Sequence, residues 1–187
     1  GDYLGDGMRL LRLIALAGWA ACAAAPAAEP IRIGVSGPFT GGSSPMGISM
    51  RDGIRVAAAQ INASGGLLGR PVQLVERDDQ ARNELGAQVA RELVVKEKIV
   101  AGVGIVNTGV ALASQRVYHE ARIPMITAAA TGSIVTRQFL PPQHPENFIF
   151  RVSASDSIQA AMIVEEAVER RRFRKVAILA DSTNYGQ

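Results

Sequence analysis

Short apolar runs alternate along the chain with longer segments in which apolar residues recur at helical spacing. The runs are rich in β-branched residues, which is typical of buried strands. They predict strands at residues 31–36, 72–77, 99–103, 124–127, 148–152 and 176–180. The longer segments predict helices at residues 47–64, 83–97, 108–121 and 157–171, with Asp156 as the cap of the last.

The helical spacing is clearest in the segment 47–64. Met50, Ile54, Ala58 and Ile61 recur every three or four residues, so they lie on one face of a helix. Strand and helix alternate almost without exception, and the strands are apolar on both sides. This combination predicts an α/β fold in which helices cover both faces of a parallel sheet.

The region before the first strand has the three parts of a secretory signal peptide. Arg9 and Arg12 supply a basic start, residues 13–25 are apolar, and small residues follow. The apolar part is shorter than the roughly 20 residues that a membrane-spanning helix needs. We therefore predict a signal peptide at residues 8–27 and a mature, periplasmic chain that begins at Ala28.

Composition narrows the possible partners. The chain has a formal net charge of +3, and its basic residues cluster only at 170–175. That cluster ends a predicted helix, where cations interact favourably with the helix dipole, so we predict no nucleic-acid partner.

Residues 1–7 are predicted to be an upstream extension. Cys22, the only cysteine, falls within the predicted signal peptide, so the mature chain offers no thiol as nucleophile or metal ligand.

The glycine-rich loop SGPFTGGSSPMG, which follows the first strand, raises the question of nucleotide binding. Gly37 and Gly42 have the spacing of a phosphate-binding P-loop, but Ser43 stands where that motif requires lysine. A dinucleotide fingerprint that begins at Gly102 has Asn107 in place of its third glycine. Both departures disfavour a nucleotide cofactor and leave a Rossmann-type oxidoreductase as a remote alternative.

The sequence contains few candidates for catalytic or metal-binding residues. His119 and His144, the only histidines, have no cysteine or carboxylate at ligand spacing, so we predict a surface or structural role for each. Asp78 and Asp79 could act as a carboxylate pair, or they could form a turn that caps the following helix. We predict that the protein is not an enzyme and has no catalytic residues, cofactor or metal site.

Small hydroxyl-bearing residues and glycines follow two of the predicted strands. Asn107, Thr108 and Gly109 open a helix, and residues 129–133 follow the fourth strand. Ligands of open parallel sheets bind at the carboxyl ends of the strands, and free N–H groups at a helix N-terminus attract anions. The two segments together predict a site for a small anion or zwitterion, whereas each alone is also explained by capping and turn chemistry.

Longer stretches of the chain resemble a known family. The run IRIGVSGPFTGGSSPMGISMRDGIRVAAAQINASGGLLGRPVQLVERDDQ is followed by ELVVKEKIVAGVGIVNTGVALAS, IPMITAAATGS and VAILADSTNYGQ. In this order they are similar to branched-chain amino-acid-binding proteins, the periplasmic substrate-binding components of ABC transporters. The resemblance covers residues 30–187 and implies a type I periplasmic binding fold, in which two α/β lobes close on a ligand.

The resemblance also implies which residues contact the ligand. Thr108 matches the hydroxyl that holds the ligand carboxylate at a helix N-terminus. Ala129 and Thr131 match a pair that contacts the amino-acid head group through a backbone carbonyl and a hydroxyl. Met46 stands in the first loop where relatives can carry an aromatic residue, which leaves the ligand's identity open. Tyr185 matches a cleft tyrosine of the second lobe.

A domain organisation and a partner follow from the same resemblance. It assigns residues 28–151 to an incomplete N-terminal ligand-binding lobe and residues 152–187 to the start of a second lobe. The family's acidic partner for the ligand amine lies beyond Gln187, so we expect the chain alone to bind weakly or not at all. The implied role is capture of an amino-acid-like or carboxylic-acid ligand for ABC permease subunits. A ligand-sensing receptor domain of the same fold is the alternative.

Overall fold

The computed structural model describes residues 28–187, so the predicted signal peptide and upstream extension lie outside the described residues. The strands are β1 (Ile31–Gly37), β2 (Val72–Asp78), β3 (Ala101–Gly104), β4 (Met125–Thr127) and β5 (Ile149–Arg151). The helices are α1 (Ser44–Ala63), α2 (Asn83–Arg91), α3 (Thr108–Glu120), α4 (Ile134–Arg137) and α5 (Asp156–Val164). π-helical turns extend α2 through Glu92–Lys96 and α5 through Glu165–Arg170.

The strands form one parallel sheet with the order β2-β1-β3-β4-β5. Gly34 of β1 lies opposite Val75 of β2 and Gly102 of β3, which fixes the register of the three strands. Because all strands run the same way, their carboxyl ends meet at one edge of the sheet. The predicted parallel α/β architecture is confirmed.

Helices cover both faces of the sheet, as two glycines of β1 demonstrate. A Cβ atom at Gly34 would lie 2.7 Å from Ile99 Cδ1, and one at Gly37 would lie 2.6 Å from Met50 Cε of α1. Residues three apart on a strand point to opposite faces. Met50 and Ile99 therefore pack on opposite sides, and the side chain of Leu93 shares the Ile99 side.

The main core lies between the sheet and the pair formed by α2 and α3. Its buried members include Val89, Leu93, Tyr118, Met125 and Ile149. The pair packs closely because α2 contributes a glycine where the two helices meet, so that Val110 of α3 can approach its backbone. This packing sets the two helix N-termini side by side at the carboxyl edge of the sheet.

The predicted helix 83–97 is α-helical only as far as Arg91 and then widens into a π-helical turn. In that turn the N–H of Glu97 donates to the carbonyl of Glu92, five residues earlier. The guanidinium of Arg77 donates to both carboxylates, at 2.8 Å from Glu92 and 2.6 Å from Glu97. A π-helical turn brings residues five apart onto one face, so Arg77 can bridge them.

The predicted strand at residues 176–180 is wrong. Among residues 28–187 no strand pairs with this segment, and Val176, Ile178 and Leu179 are 71 %, 89 % and 98 % exposed. A strand needs a neighbouring strand to receive its backbone hydrogen bonds, and an apolar run does not supply one. Helix α5 likewise buries none of its residues. The assignment of residues 28–151 and 152–187 to two lobes stays a prediction.

Within the part of the chain that the structure describes, no helix combines the length and apolar character needed to cross a membrane.

Candidate functional site

A cavity of about 1080 Å³ opens at the carboxyl edge of the sheet. Its walls come from the segments that follow strands β1 to β4, together with residues 181–187. This is the edge at which parallel sheets bind ligands, because the loops there are free to vary while the strands hold their ends in place.

The five residues predicted to contact a ligand all line this one cavity. Thr108 is buried, with 2 % of its surface exposed, whereas Met46 and Tyr185 are 58 % and 57 % exposed. Ala129 and Thr131 lie between these extremes. The structure thus brings together residues that are up to 139 positions apart in the sequence, while their role in binding stays a prediction.

Thr108 begins helix α3, whose N-terminus faces the cavity. The preceding residue, Asn107, has an extended backbone, and no side-chain hydrogen bond caps the helix among the described residues. The first N–H groups of a helix have no partner within the helix and carry the positive end of its dipole. The Thr108 hydroxyl accepts a long hydrogen bond, 3.4 Å, from the N–H of Gly132. A carboxylate could bind both the hydroxyl and the free N–H groups.

Hydrogen bonds from β5 and α5 hold the loop that carries Ala129 and Thr131. Arg151 Nη1 donates to the carbonyls of Thr131, at 3.0 Å, and Gly132, at 2.8 Å. The N–H of Asp156 donates to the same Thr131 carbonyl at 3.0 Å. These bonds engage the loop on the side of β5 and α5, so the loop keeps a fixed position beside Thr108.

Side chains from two walls of the cavity pack closely on Gly109, near the start of α3. A Cβ atom at Gly109 would lie 2.5 Å from Asn83 Oδ1 and 2.9 Å from Asn184 Oδ1. Asn83 Nδ2 also donates to Asn184 Oδ1 at 3.2 Å, which ties the first residue of α2 to the segment 181–187. The N-termini of α2 and α3 and the segment of Tyr185 therefore converge within a few ångströms.

Charged residues of the cavity wall were not singled out from the sequence. Arg82, Glu84 and Asp181 line it beside the predicted residues. Hydrogen bonds from the hydroxyl and N–H of Thr183 hold the pKa of Asp181 below its usual range. All three charged residues lie in segments that follow apolar runs. Their position after a predicted strand is the sequence feature that could have identified them as residues of the cavity wall.

His119 and His144 lie at the other end of α3 and away from this cavity. Their ring centroids are 5.0 Å apart, and His119 stacks on Phe139 at 4.2 Å. Burial, and then the nearby His144, lower the pKa of His119. This pairing could not be predicted from the sequence, because the segment between the two histidines contains β4 and α4. Within residues 28–187, no group of three or more His, Cys, Asp or Glu residues is arranged to hold a metal ion.

Comparison with known proteins places the chain in a family. Residues 30–187 match the family model described as "Periplasmic binding protein". A Leu/Ile/Val-binding protein homologue of Brucella melitensis is 33 % identical over 180 residues, which are 96 % of this chain and 47 % of that relative. The chain thus spans less than half the length of this relative.

Solved structures share the fold. A branched-chain amino-acid transporter substrate-binding protein of Streptococcus pneumoniae, in complex with isoleucine, is 26 % identical with a TM-score of 0.68; the match covers 76 % of this chain and 39 % of that one. A solute-binding protein of an ABC transporter from Rhodopseudomonas palustris, in complex with 3,4-dihydroxybenzoic acid, is 26 % identical with a TM-score of 0.70 over 84 % and 40 % of the two chains.

Proposed function

Because the chain belongs to the periplasmic binding protein family, we propose that it captures a small amino-acid-like or carboxylic-acid ligand in the cavity at the carboxyl edge of the sheet. The observation that carries the proposal is the convergence of Met46, Thr108, Ala129, Thr131 and Tyr185 on that cavity. The ligand carboxylate binds the N-terminus of α3 and the Thr108 hydroxyl. Its amine or a hydroxyl group faces Ala129 and Thr131.

The ligand's side chain contacts Met46 and Tyr185. Both residues project large, flexible or aromatic surface into the cavity mouth, and more than half of each is exposed. Such surfaces accept branched aliphatic and aromatic groups alike. This agrees with the relatives, of which one was solved with isoleucine and another with 3,4-dihydroxybenzoic acid. We therefore propose a branched-chain or related amino acid, or an aromatic acid.

We further propose that the protein works in the periplasm as the solute-binding component of an ABC importer and delivers its ligand to the permease subunits. Binding, rather than catalysis, is the function that the cavity supports. It offers a helix N-terminus, hydroxyls and backbone groups, which bind a carboxylate without reacting with it. No cofactor is needed for this role.

A titration followed by two-dimensional NMR of the ¹⁵N-labelled chain tests the proposal. L-leucine, L-isoleucine, L-valine and 3,4-dihydroxybenzoate are added in turn, with leucinol, which lacks the carboxylate, as the matched control. We expect at least one acid to shift the amide signals of Thr108, Gly109 and Thr131 with an affinity weaker than micromolar. Leucinol should leave them in place. Shifts that leucinol reproduces, or the absence of cavity shifts with all four acids, would contradict the proposal.

A further inference from the structure

Asp78 is the last residue of strand β2. Its carboxylate lies between two segments that lead into the cavity wall. Its Oδ1 accepts hydrogen bonds from the N–H of Phe39 at 2.8 Å and of Gln80 at 2.9 Å. Its Oδ2 accepts one from the Thr40 hydroxyl at 2.5 Å. One side chain thus joins the loop after β1 to the turn after β2, 38 or more positions away in the sequence.

On one side the carboxylate holds the loop that leads to Met46. Phe39 and Thr40 are followed by Gly41, whose backbone is left-handed with φ +81°, and then by α1, in which Met46 lies. Gly47 packs so closely on the carbonyl of the residue before Phe39 that a Cβ atom would collide with it. The path from Asp78 to Met46 is therefore short and tightly packed.

On the other side the carboxylate holds a strained turn. Gln80 and Ala81 have φ values of +53° and +57°, a conformation that residues with a Cβ atom adopt at an energetic cost. Asp78 accepts the N–H of Gln80, and Asp79 Oδ1 accepts the N–H of Ala81 at 2.9 Å. The turn leads directly into Arg82, which lines the cavity and immediately precedes the first residue of α2.

The two neighbouring aspartates differ in pKa. Burial opposes ionisation of Asp78, but the hydrogen bonds from Thr40, Gln80 and Phe39 outweigh it and hold the Asp78 pKa below its usual range. Asp79 is fully buried, and burial raises its pKa to about 6. Asp78 is therefore ionised at neutral pH, and its carboxylate can receive the three hydrogen bonds.

We propose that Asp78 is a positioning residue that clamps the loop after β1 to the turn after β2 and thereby sets the spacing of the cavity walls that carry Met46 and Arg82. Asp78 does not line the cavity, and it acts through the segments that it joins. Its effect on ligand affinity rests on the proposed function, whereas its effect on the two segments does not.

Amide hydrogen exchange of the chain, with an NMR titration of L-leucine, tests the clamp. Asp78→Ala removes all three acceptor contacts, Asp78→Asn keeps an oxygen for Phe39 and Gln80, and Thr40→Val releases only the hydroxyl. Asp52→Asn, on the exposed side of α1, is the matched control. In Asp78→Ala we expect exchange at Phe39 and Gln80 to accelerate roughly tenfold.

Asp78→Asn should restore most of that protection, and Thr40→Val should change Phe39 more than Gln80. The affinity for L-leucine should fall most in Asp78→Ala and less in Asp78→Asn and Thr40→Val. Asp52→Asn should bind leucine as the wild type does. The core amide of Val89 reports global unfolding and should not follow the pattern.

Unchanged exchange at Phe39 and Gln80 in Asp78→Ala would overturn the clamp, as would an equal acceleration at Val89. Faster exchange with unaltered leucine affinity would overturn the positioning role. A wild-type chain that fails to bind leucine would count against leucine as the proposed ligand, and the exchange pattern alone would then decide whether the clamp exists.

Discussion

Replacing Thr108 by valine removes the hydroxyl that we assign to the ligand carboxylate and keeps the shape of the side chain. Among residues 28–187, the one hydrogen bond that this hydroxyl accepts is the long 3.4 Å bond from the N–H of Gly132. Its loss should therefore lower the free energy of unfolding by no more than about 1 kcal/mol. The fold and the cavity should survive the substitution.

The effect on binding should be much larger than the effect on stability. A hydrogen bond to a charged group contributes about 1.5–3 kcal/mol, which corresponds to a loss of affinity of roughly 10- to 150-fold. Because the wild-type chain is expected to bind weakly, Thr108→Val should move L-leucine beyond the range of an NMR titration. Thr108→Ser, which keeps a hydroxyl, should bind within a few-fold of the wild type.

Thr136→Val is the matched control, since this partly exposed threonine lies on α4 and outside the cavity lining. It should bind leucine as the wild type does. Urea unfolding of all variants separates stability from affinity. Equal leucine affinity in Thr108→Val and the wild type would refute the assignment of the carboxylate to Thr108.

Three other substitutions test the packing and electrostatics around the site. Leu93→Ala, at a core position with no exposed surface, should lower the free energy of unfolding in urea by about 2–5 kcal/mol; a loss below 1 kcal/mol would contradict the assigned core. Gly132→Ala places a Cβ atom 2.5 Å from Thr108 Cγ2, so it should cost about 1–3 kcal/mol and weaken leucine binding in the NMR titration. Burial raises the Asp79 pKa from 3.8 to about 6, so the folded chain holds this proton more tightly than the unfolded chain. The stability that this proton contributes is present below pH 3.8 and is lost as the pH rises through about 6. Relative to the wild type, the free energy of unfolding of Asp79→Asn should be higher by up to about 3 kcal/mol above pH 6 and unchanged near pH 3.5. A difference in unfolding free energy that does not vary with pH would contradict this.

The sequence was a good guide wherever one segment determines its own structure. The strand–helix alternation predicted the parallel sheet, and the position of Thr108 directly after an apolar run predicted its place at the carboxyl edge. The run at 176–180 has the same apolar pattern but is not a strand, because strand formation also depends on a partner that the pattern cannot supply.

Features that depend on distant partners were missed for the same reason. The Asp78 contacts join residues 38 and 39 positions apart, and the sequence left the aspartate pair open between chemistry and turn formation. Arg77, which bridges two carboxylates of the π-helical turn after α2, lies on another element. His119 and His144 come together because the chain, after passing through β4 and α4, returns to the end of α3.

A crystal structure of the chain with L-leucine would locate the ligand carboxylate and so decide whether it binds at the N-terminus of α3. We predict a carboxylate oxygen within hydrogen-bond distance of Thr108 Oγ1 and of the first N–H groups of α3, with the aliphatic side chain towards Met46 and Tyr185. A leucine bound with its carboxylate away from the α3 N-terminus, or bound beside His119 instead, would contradict it.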